Sequence, residues 1–256
     1  MSRFKGTKLK NLLTTWPQGT VCLSSCLNER GIGYDLQRLY RKSGWITSIG
    51  QGAVIRTGDD VTWPGAVYAL QQQARMQIHV GAKTALTLHG YAHFINFTQE
   101  KIQLFGPQKS KLPTWFKNHN WGGRIEFHRT SLFGVDTQFG LQTRSYKTFE
   151  INISAPERAI LELLDLVPQK ETYNESALIA ESLSTLRPKV LQQLLNRCTS
   201  VKVKRLFLYL AEKQNHAWLK RLDLKEIDLG KGDRQIVKGG VFDPKYRITI
   251  PKEINQ

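Results

Sequence analysis

Cysteine is scarce, with three residues, Cys22, Cys26 and Cys198, in a chain of 256. Three thiols cannot build a disulfide framework, and Cys22 and Cys26 have no further ligand nearby to complete a zinc site. All three read as reduced, small hydrophobes. Long hydrophobic runs are missing as well. No stretch approaches the ~18 apolar residues of a membrane helix, and the polar, basic N-terminus lacks the apolar centre of a signal peptide. The expectation is a cytoplasmic protein without a membrane partner. Signatures of catalysis are also lacking: there is no GxxxxGK[ST], no GxGxxG opening a helix and no nucleophile elbow. Gly230-Lys231-Gly232 and Lys238-Gly239-Gly240 are glycine–lysine turns, but neither opens a helix. His89 and His93 stand four apart, yet Gly90 lies between them and no HExxH carboxylate accompanies them, so they read as ordinary polar histidines. The chain is expected to be neither an enzyme nor a binder of cofactor or metal.

Acidic residues are the remaining shortage. Twenty-one Asp and Glu face 37 Lys and Arg, a net charge of +16. Such a balance favours a polyanionic partner, whether nucleic acid or an acidic protein surface. The excess is uneven. Residues 1–62 hold nine basic against four acidic residues, and 187–252 hold sixteen against six, whereas 63–186 hold twelve against ten. Two basic ends thus flank a nearly neutral middle.

What is present is clearest between Thr20 and Gly58. Ser24 and Ser25 are good N-cap residues, and Ser25–Glu29 reads as a short helix. Gly31 and Gly33 supply a tight turn. Tyr34–Lys42 is a second helix, with Leu36, Leu39 and Tyr40 at i, i+3, i+4 forming its core face. From Trp45 the period changes to two, and Gly50-Gln51-Gly52 is a turn between Trp45–Ile49 and a returning strand at Val54–Arg56. Helix, turn, helix and hairpin make a winged helix-turn-helix, whose second helix fits a major groove and whose cations neutralise phosphates. On this reading Gln37, Arg38 and Arg41 reach base edges, Tyr34, Lys42 and Arg56 contact phosphate, and Gln51 sits at the wing turn. A basic helical unit that only packs against the rest of the chain is the alternative for this stretch.

A leading helix is expected at 6–15 and a boundary near residue 60, dividing the chain into a winged helix-turn-helix domain (1–60) and a second domain (61–256). The middle reads α+β. Helices are expected at Ala66–Met76 and Lys83–His89, a helical turn at Pro113–Asn118, and strands at Ile78–Val80, Phe94–Phe97, Lys101–Phe105, Arg124–His128 and Phe149–Ile153. Pro156–Leu166 is the clearest helix, with Ser154 expected as its cap, Pro156 in its first turn and Glu157 complementing its dipole. Helices follow at Asn174–Leu183, Pro188–Cys198, Val201–Glu212 and Ala217–Leu222, and strand character returns over Ile236–Ile250. The fold class is therefore α+β: an N-terminal winged helix-turn-helix, then a larger mixed domain with a helical C-terminal part. Within Ser200–Arg205, Lys202 and Arg205 share a helix face, which reads either as a docking surface for an acidic partner or as a solvated face.

Several strings together carry a family resemblance: Arg41-Lys42-Ser43-Gly44-Trp45, His79 to Leu86, Leu88 to His93, Leu104-Phe105-Gly106, Ser154 to Glu162, Ser200 to Phe207, and Asp243-Pro244-Lys245-Tyr246. The chain resembles, nearly end to end, the AbiEi antitoxins of type IV toxin–antitoxin systems. The resemblance implies a bifunctional protein. Its winged helix would bind double-stranded DNA at inverted repeats in its own promoter, with Tyr34–Lys42 as the reading helix and about Trp45–Thr57 as the wing. Its C-terminal domain would counter an AbiEii-like nucleotidyltransferase toxin, without need of a stable complex, in abortive infection against phage. Lys83, Lys202, Lys204 and Arg205 are the residues expected on the antitoxicity surface. The competing reading is a basic protein-binding module that inhibits an acidic or nucleotide-binding partner, with the winged helix as scaffold. An RNA-binding reading finds no RNP-type aromatic strand.

Overall fold

A computed structural model describes residues 2–91, 101–134 and 138–252. The strand expected at Phe94–Phe97, and His93, lie outside the described residues. The chain runs through α1 (Ser2–Thr15), β1 (Cys22–Leu23), α2 (Ser24–Glu29), α3 (Tyr34–Lys42), β2 (Ile46–Gly50), β3 (Ala53–Arg56), α4 (Trp63–Tyr68), β4 (His79–Val80) and α5 (Ala82–Leu88). There follow β5 (Lys101–Gly106), α6 (Thr114–Asn118), β6 (Arg124–Arg129), β7 (Leu141–Ser145) and β8 (Glu150–Ser154). The last part holds α7 (Pro156–Leu166), α8 (Tyr173–Ser182), α9 (Pro188–Arg197), α10 (Val201–Lys213), β9 (Arg234–Gln235), β10 (Val241–Asp243) and β11 (Ile248–Ile250). The architecture is α+β, as expected. Two compact units are woven from discontinuous segments: unit 1 comprises Met1–His79, Gln99–Phe127 and Thr143–Asn152, and unit 2 comprises Val80–Thr98, His128–Gln142 and Ile153–Gln256.

Unit 1 contains the winged helix-turn-helix. Its core gathers Leu12, Trp16, Cys22, Leu27, Ile32, Tyr40, Ile46 and Val54. They come from α1, β1, α2, α3, the hairpin and the turns after α1 and between α2 and α3, so burial of this cluster fixes the elements on one another; a buried side chain of this size contributes about 1.5–3 kcal/mol. Gly31 takes φ +74° between the helices, a conformation that costs a non-glycine residue strain. Ile32 then turns inward, its N–H donating to Leu27 O at 2.9 Å. The sheet order is β1-β3-β2, antiparallel, with Cys22 opposite Val54 and Ile46 opposite Arg56. A register shift between Ser48 and Gly50 marks a bulge just before the Gln51-Gly52 turn.

The single helix expected at Ala66–Met76 is instead α4 followed by a π-helical turn, Ala69–Gln73. This turn aims two glutamines at strand edges. Gln73 accepts from Leu23 N–H and donates to Val21 O, both at 2.8 Å. Gln71 accepts from Asn152 N–H at 2.8 Å and donates to Ile78 O and Asn152 O. Side-chain amides thereby satisfy backbone groups that a strand edge would otherwise leave open.

Unit 2 is organised around α7, of whose eleven residues nine are buried. Ile160, Leu161, Leu163, Leu164 and Val167 bury as expected, and α5, α8, α9 and α10 pack against this helix. Val80 and Ile153 pair in parallel, and β10-β11-β9 form a small separate sheet. The expected cap is corrected: Ala155 holds the N-cap position of α7 without a side-chain bond, because Ser154 Oγ donates instead to Glu162 Oε2 at 2.7 Å. The strand β7, two of whose five residues are half-buried and three exposed, was not legible: Leu-Gln-Thr-Arg-Ser has no alternating apolar face.

Candidate nucleic-acid interface

The outward face of α3 is cationic. Tyr34, Arg38, Arg41 and Lys42 are all exposed, as is Gln51 at the wing turn. Neither Arg41 nor Lys42 has an ion-pair partner among the described residues, and the nearest carboxylate to Arg38 is Asp35 one turn back, at 3.6 Å with both side chains in solvent. An exposed pair at this distance contributes at most about 1 kcal/mol, so Arg38 is held loosely and can exchange Asp35 for a ligand. Asp35 and Leu39 on α3, and Trp45 just beyond it, are exposed too and were not foreseen as part of this surface. Asp35 lies next to a residue that was singled out, and its exposure one turn from Arg38 is what puts it on that face.

Two of the sequence-predicted positions are corrected. Gln37 is fully buried. Its Nε2 donates toward Ser24 O (3.1 Å), Asn28 Oδ1 (3.0 Å) and Ile32 O (2.8 Å), tying α2, the turn and α3 together. It cannot also reach a base edge. The inward stripe of α3 is Leu36, Gln37 and Tyr40, while Leu39, expected inside, is 43% exposed. Arg56 is half-buried: Nη2 donates to Leu13 O at 2.7 Å and the guanidinium lies 5.5 Å from the Trp16 ring centroid. It clamps α1 to the hairpin, and a phosphate would have to compete with that carbonyl.

The residues expected on an antitoxicity surface are inside unit 2. Lys204 and Arg205 are 4% and 2% exposed, and Lys83 is 7% exposed and paired with Glu175. Lys202 is half-buried and donates to Asp165 O (2.8 Å) and Val167 O, carbonyls at the C-terminal end of α7 that lack helical partners. The guanidinium of Arg205 is ringed by carbonyls: Nε donates to Leu229 O (2.8 Å), Nη1 to Gly232 O (2.6 Å) and Arg247 O (3.2 Å), and Nη2 to Gly230 O (3.0 Å). This basic run therefore holds the glycine–lysine turn and the small sheet in place. It offers little free charge to a partner.

Arg158 and Glu162, one turn apart on α7, form a buried ion pair at 2.8 Å, at 2% and 0% side-chain exposure. Glu157 is buried too and receives Arg187 through Nε, Nη2 and the backbone N–H. Burial pushes its carboxyl up, but those bonds from Arg187 prevail and hold it below the usual carboxylate range. These groups are paired internally and present no open catalytic constellation. His89 Nε2 lies 2.9 Å from Ser154 O. Among the described residues no cluster of three or more His, Cys, Asp and Glu could hold a metal.

The thiols differ in a way the sequence did not show. Cys26, half-buried in α2, is lowered to about 6 by the hydrogen bond from Cys22, with Arg30 assisting against burial. Cys22 is pushed up by that same bond and by its own burial, and burial pushes Cys198 up to about 11. Cys26 is therefore a thiolate above about pH 6 and a thiol below it. Iodoacetamide should alkylate Cys26 selectively in the native protein, with a rate midpoint near pH 6, because the thiolate is the nucleophile. A midpoint near 9 by peptide mass spectrometry, or equal labelling of Cys22, would contradict this.

Residues 5–97 match a family described as "Transcriptional regulator, AbiEi antitoxin N-terminal domain". Residues 99–251 match one described as "Transcriptional regulator, AbiEi antitoxin, Type IV TA system". No curated protein matches the chain. Among solved structures, the RV2827C protein from Mycobacterium tuberculosis is similar, at a TM-score of 0.56 and 13% identity, over 96% of this chain and 90% of that one. At that identity the likeness concerns the fold alone. Among the described residues no helix is long and apolar enough to cross a membrane.

Proposed function

The chain belongs to the AbiEi antitoxin family of type IV toxin–antitoxin transcriptional regulators, and we propose that it is a bifunctional antitoxin that represses its own operon. In this reading residues 1–60 recognise inverted repeats in the promoter, and residues 61–256 counteract a nucleotidyltransferase-like toxin. The observation that carries the DNA-binding half is the outward face of α3. Arg38, Arg41 and Lys42 stand exposed beside a hairpin wing, the geometry by which a recognition helix enters a major groove. Arg38 and Arg41 are assigned to guanine edges, Lys42 and Tyr34 to phosphate, and Gln51 to the backbone beside the wing. Asp35, in the first turn of α3 and fully solvated, is assigned to a cytosine amino group, the donor that a carboxylate accepts from. Gln37 is assigned to holding the motif together, and Arg56 to fastening α1 to the wing. The burial of Lys204 and Arg205 disfavours the reading in which this basic run docks an acidic partner.

The test is binding of the full protein to duplex from its own upstream region against a scrambled duplex of equal length, at fixed salt. A preference of about a thousandfold or more is expected of a specific reader. The Arg38→Ala, Arg41→Ala double variant should lose about a hundredfold on the upstream duplex, because each bidentate arginine–guanine contact discriminates by about 1–3 kcal/mol. Lys42→Ala should weaken both duplexes alike. Expressed from an unrelated promoter, the double variant should still protect cells from the toxin of the operon. Equal binding to both duplexes, or an unchanged double variant, would overturn the repressor assignment, and loss of protection would show that the two activities share residues.

A further inference from the structure

The segment Lys101–Ile125 contains no acidic residue and five cations, Lys101, Lys109, Lys111, Lys117 and Arg124. Lys101 and Arg124 each lie 3.8 Å from Glu126. Lys109, Lys111 and Lys117 are exposed and have no ion-pair partner among the described residues. In sequence they lie far outside the winged helix-turn-helix, but the fold of unit 1 brings their segment to the wing.

The contact is close. A Cβ on Gly50 would come within 2.8 Å of Trp115 Cβ and 3.0 Å of its Cα, so α6 rests on the backbone of β2 immediately before the Gln51-Gly52 turn. Only glycine admits that approach. Trp115 is buried, and it packs edge-on against Phe116 (centroids 5.6 Å) and Trp121 (6.4 Å). Trp121 Nε1 donates to Phe116 O at 2.7 Å, which ties the stretch after α6 back onto the helix. Lys117 follows Trp115 by two residues, a helical rise of about 3 Å, and Lys111 and Lys109 precede the helix. The aromatic mount thus fixes the segment that carries these three exposed lysines against the strand leading into the wing turn.

We propose that Lys109, Lys111 and Lys117 form an extension of the wing that binds the phosphate backbone of duplex DNA next to the site read by α3. This rests on the repressor reading above and enlarges its interface beyond residues 1–60. Lysine ammonium groups on phosphates add affinity and register but no sequence information. Each neutralised phosphate releases counterions, so each contact adds about 0.9 to the slope of log K against log salt on duplex DNA.

The experiment is a salt titration of binding to the upstream and scrambled duplexes by wild type and by the Lys109→Gln, Lys111→Gln, Lys117→Gln triple variant, with unchanged thermal melting as the check on folding. The slope should fall by about two to three. Affinity should drop by the same factor on both duplexes, leaving their ratio intact. A control removes three exposed cations of unit 2, by Lys231→Gln, Lys238→Gln and Lys252→Gln, and should leave the slope unchanged. An unchanged slope in the first triple variant, or an equal fall in the control, overturns the proposal. The arginine double variant separates the two claims. If it loses the upstream duplex while the lysine variant keeps its slope, α3 reads DNA and the extension does not touch it. If the lysine variant flattens the slope while the arginine variant is unchanged, the extension binds phosphate and the base-reading assignment falls. Binding of neither duplex by wild type overturns both.

Discussion

Replacing Glu162 with leucine should destabilise unit 2 by about 3–5 kcal/mol, the usual loss when one partner of a buried ion pair is removed. The reason lies in what remains. Arg158 is 2% exposed, and its Nε would lose the Glu162 carboxylate that it meets at 2.8 Å. Phe139 O, 2.7 Å from Nη1, and the Phe133 ring, 4.8 Å from the guanidinium, stabilise the cation but do not neutralise it. Ser154 Oγ and Ala82 N–H would lose their acceptor as well. A shift of 3–5 kcal/mol corresponds to roughly 6–20 °C in melting temperature for a unit of this size. The Arg158→Leu, Glu162→Leu double variant should melt well above the single one, because the pair is worth less than the cost of stranding one charge. Differential scanning calorimetry of the three proteins checks this. A double variant no more stable than Glu162→Leu would show that the polar contacts around the pair, and not the uncompensated charge, carry the loss.

Arg205→Ala should cost about 3 kcal/mol, less than four separate charged hydrogen bonds at about 1.5–3 kcal/mol each. The sum is not reached because Gly230 and Gly232 are exposed, so water can hydrate their freed carbonyls. The loss should be local in its first sign. Without the guanidinium, the turn at 228–234 has no common donor, and the short parallel pairing of Arg234 and Gln235 with β11 loses its anchor. Limited proteolysis should therefore cut at the lysine of that turn well before the rest of unit 2. Arg205→Lys should recover little, because an ammonium cannot match a planar fork that serves four carbonyls. Were Arg205 a free docking residue, its removal would leave both melting temperature and cleavage pattern unchanged.

Much of the architecture was legible because it rests on local chemistry. Tyr34–Lys42 and Pro156–Leu166 are helices at the expected bounds. In the first, Gly33 precedes and Ser43-Gly44 follow a nine-residue amphipathic run. In the second, proline at the start and a dense apolar stripe leave little choice. The wing turn followed from two glycines around one glutamine. The failures share a cause. Gln37 was placed outside because it is polar and Leu39 inside because it is apolar, but the short helix α2 and its turn leave carbonyls that need a donor, and only an amide in the core can supply it. Lys204 and Arg205 were read as surface because charges usually are, yet the carbonyls of the 229–232 turn and Arg247, remote in sequence, satisfy the Arg205 guanidinium.

The amino-acid sequence by itself determined the kind of protein this is: an α+β chain with a winged helix-turn-helix near its start, a strong positive charge, and the strings that mark the AbiEi family. Periodicity, caps, turns and composition are local properties, and they survive without knowledge of what packs where. Which cations are free was decided only by the tertiary structure. Of the basic side chains singled out in advance, Arg38, Arg41 and Lys42 face water, whereas Lys204 is buried and Lys83 and Arg205 are spent on a carboxylate and on carbonyls brought from distant parts of the chain. The segment that carries Lys109, Lys111 and Lys117, unremarkable in sequence, meets the wing because Gly50 lets Trp115 lie against its backbone. A charge becomes available to a partner only when folding leaves it unpaired, and pairing depends on contacts that no local pattern records.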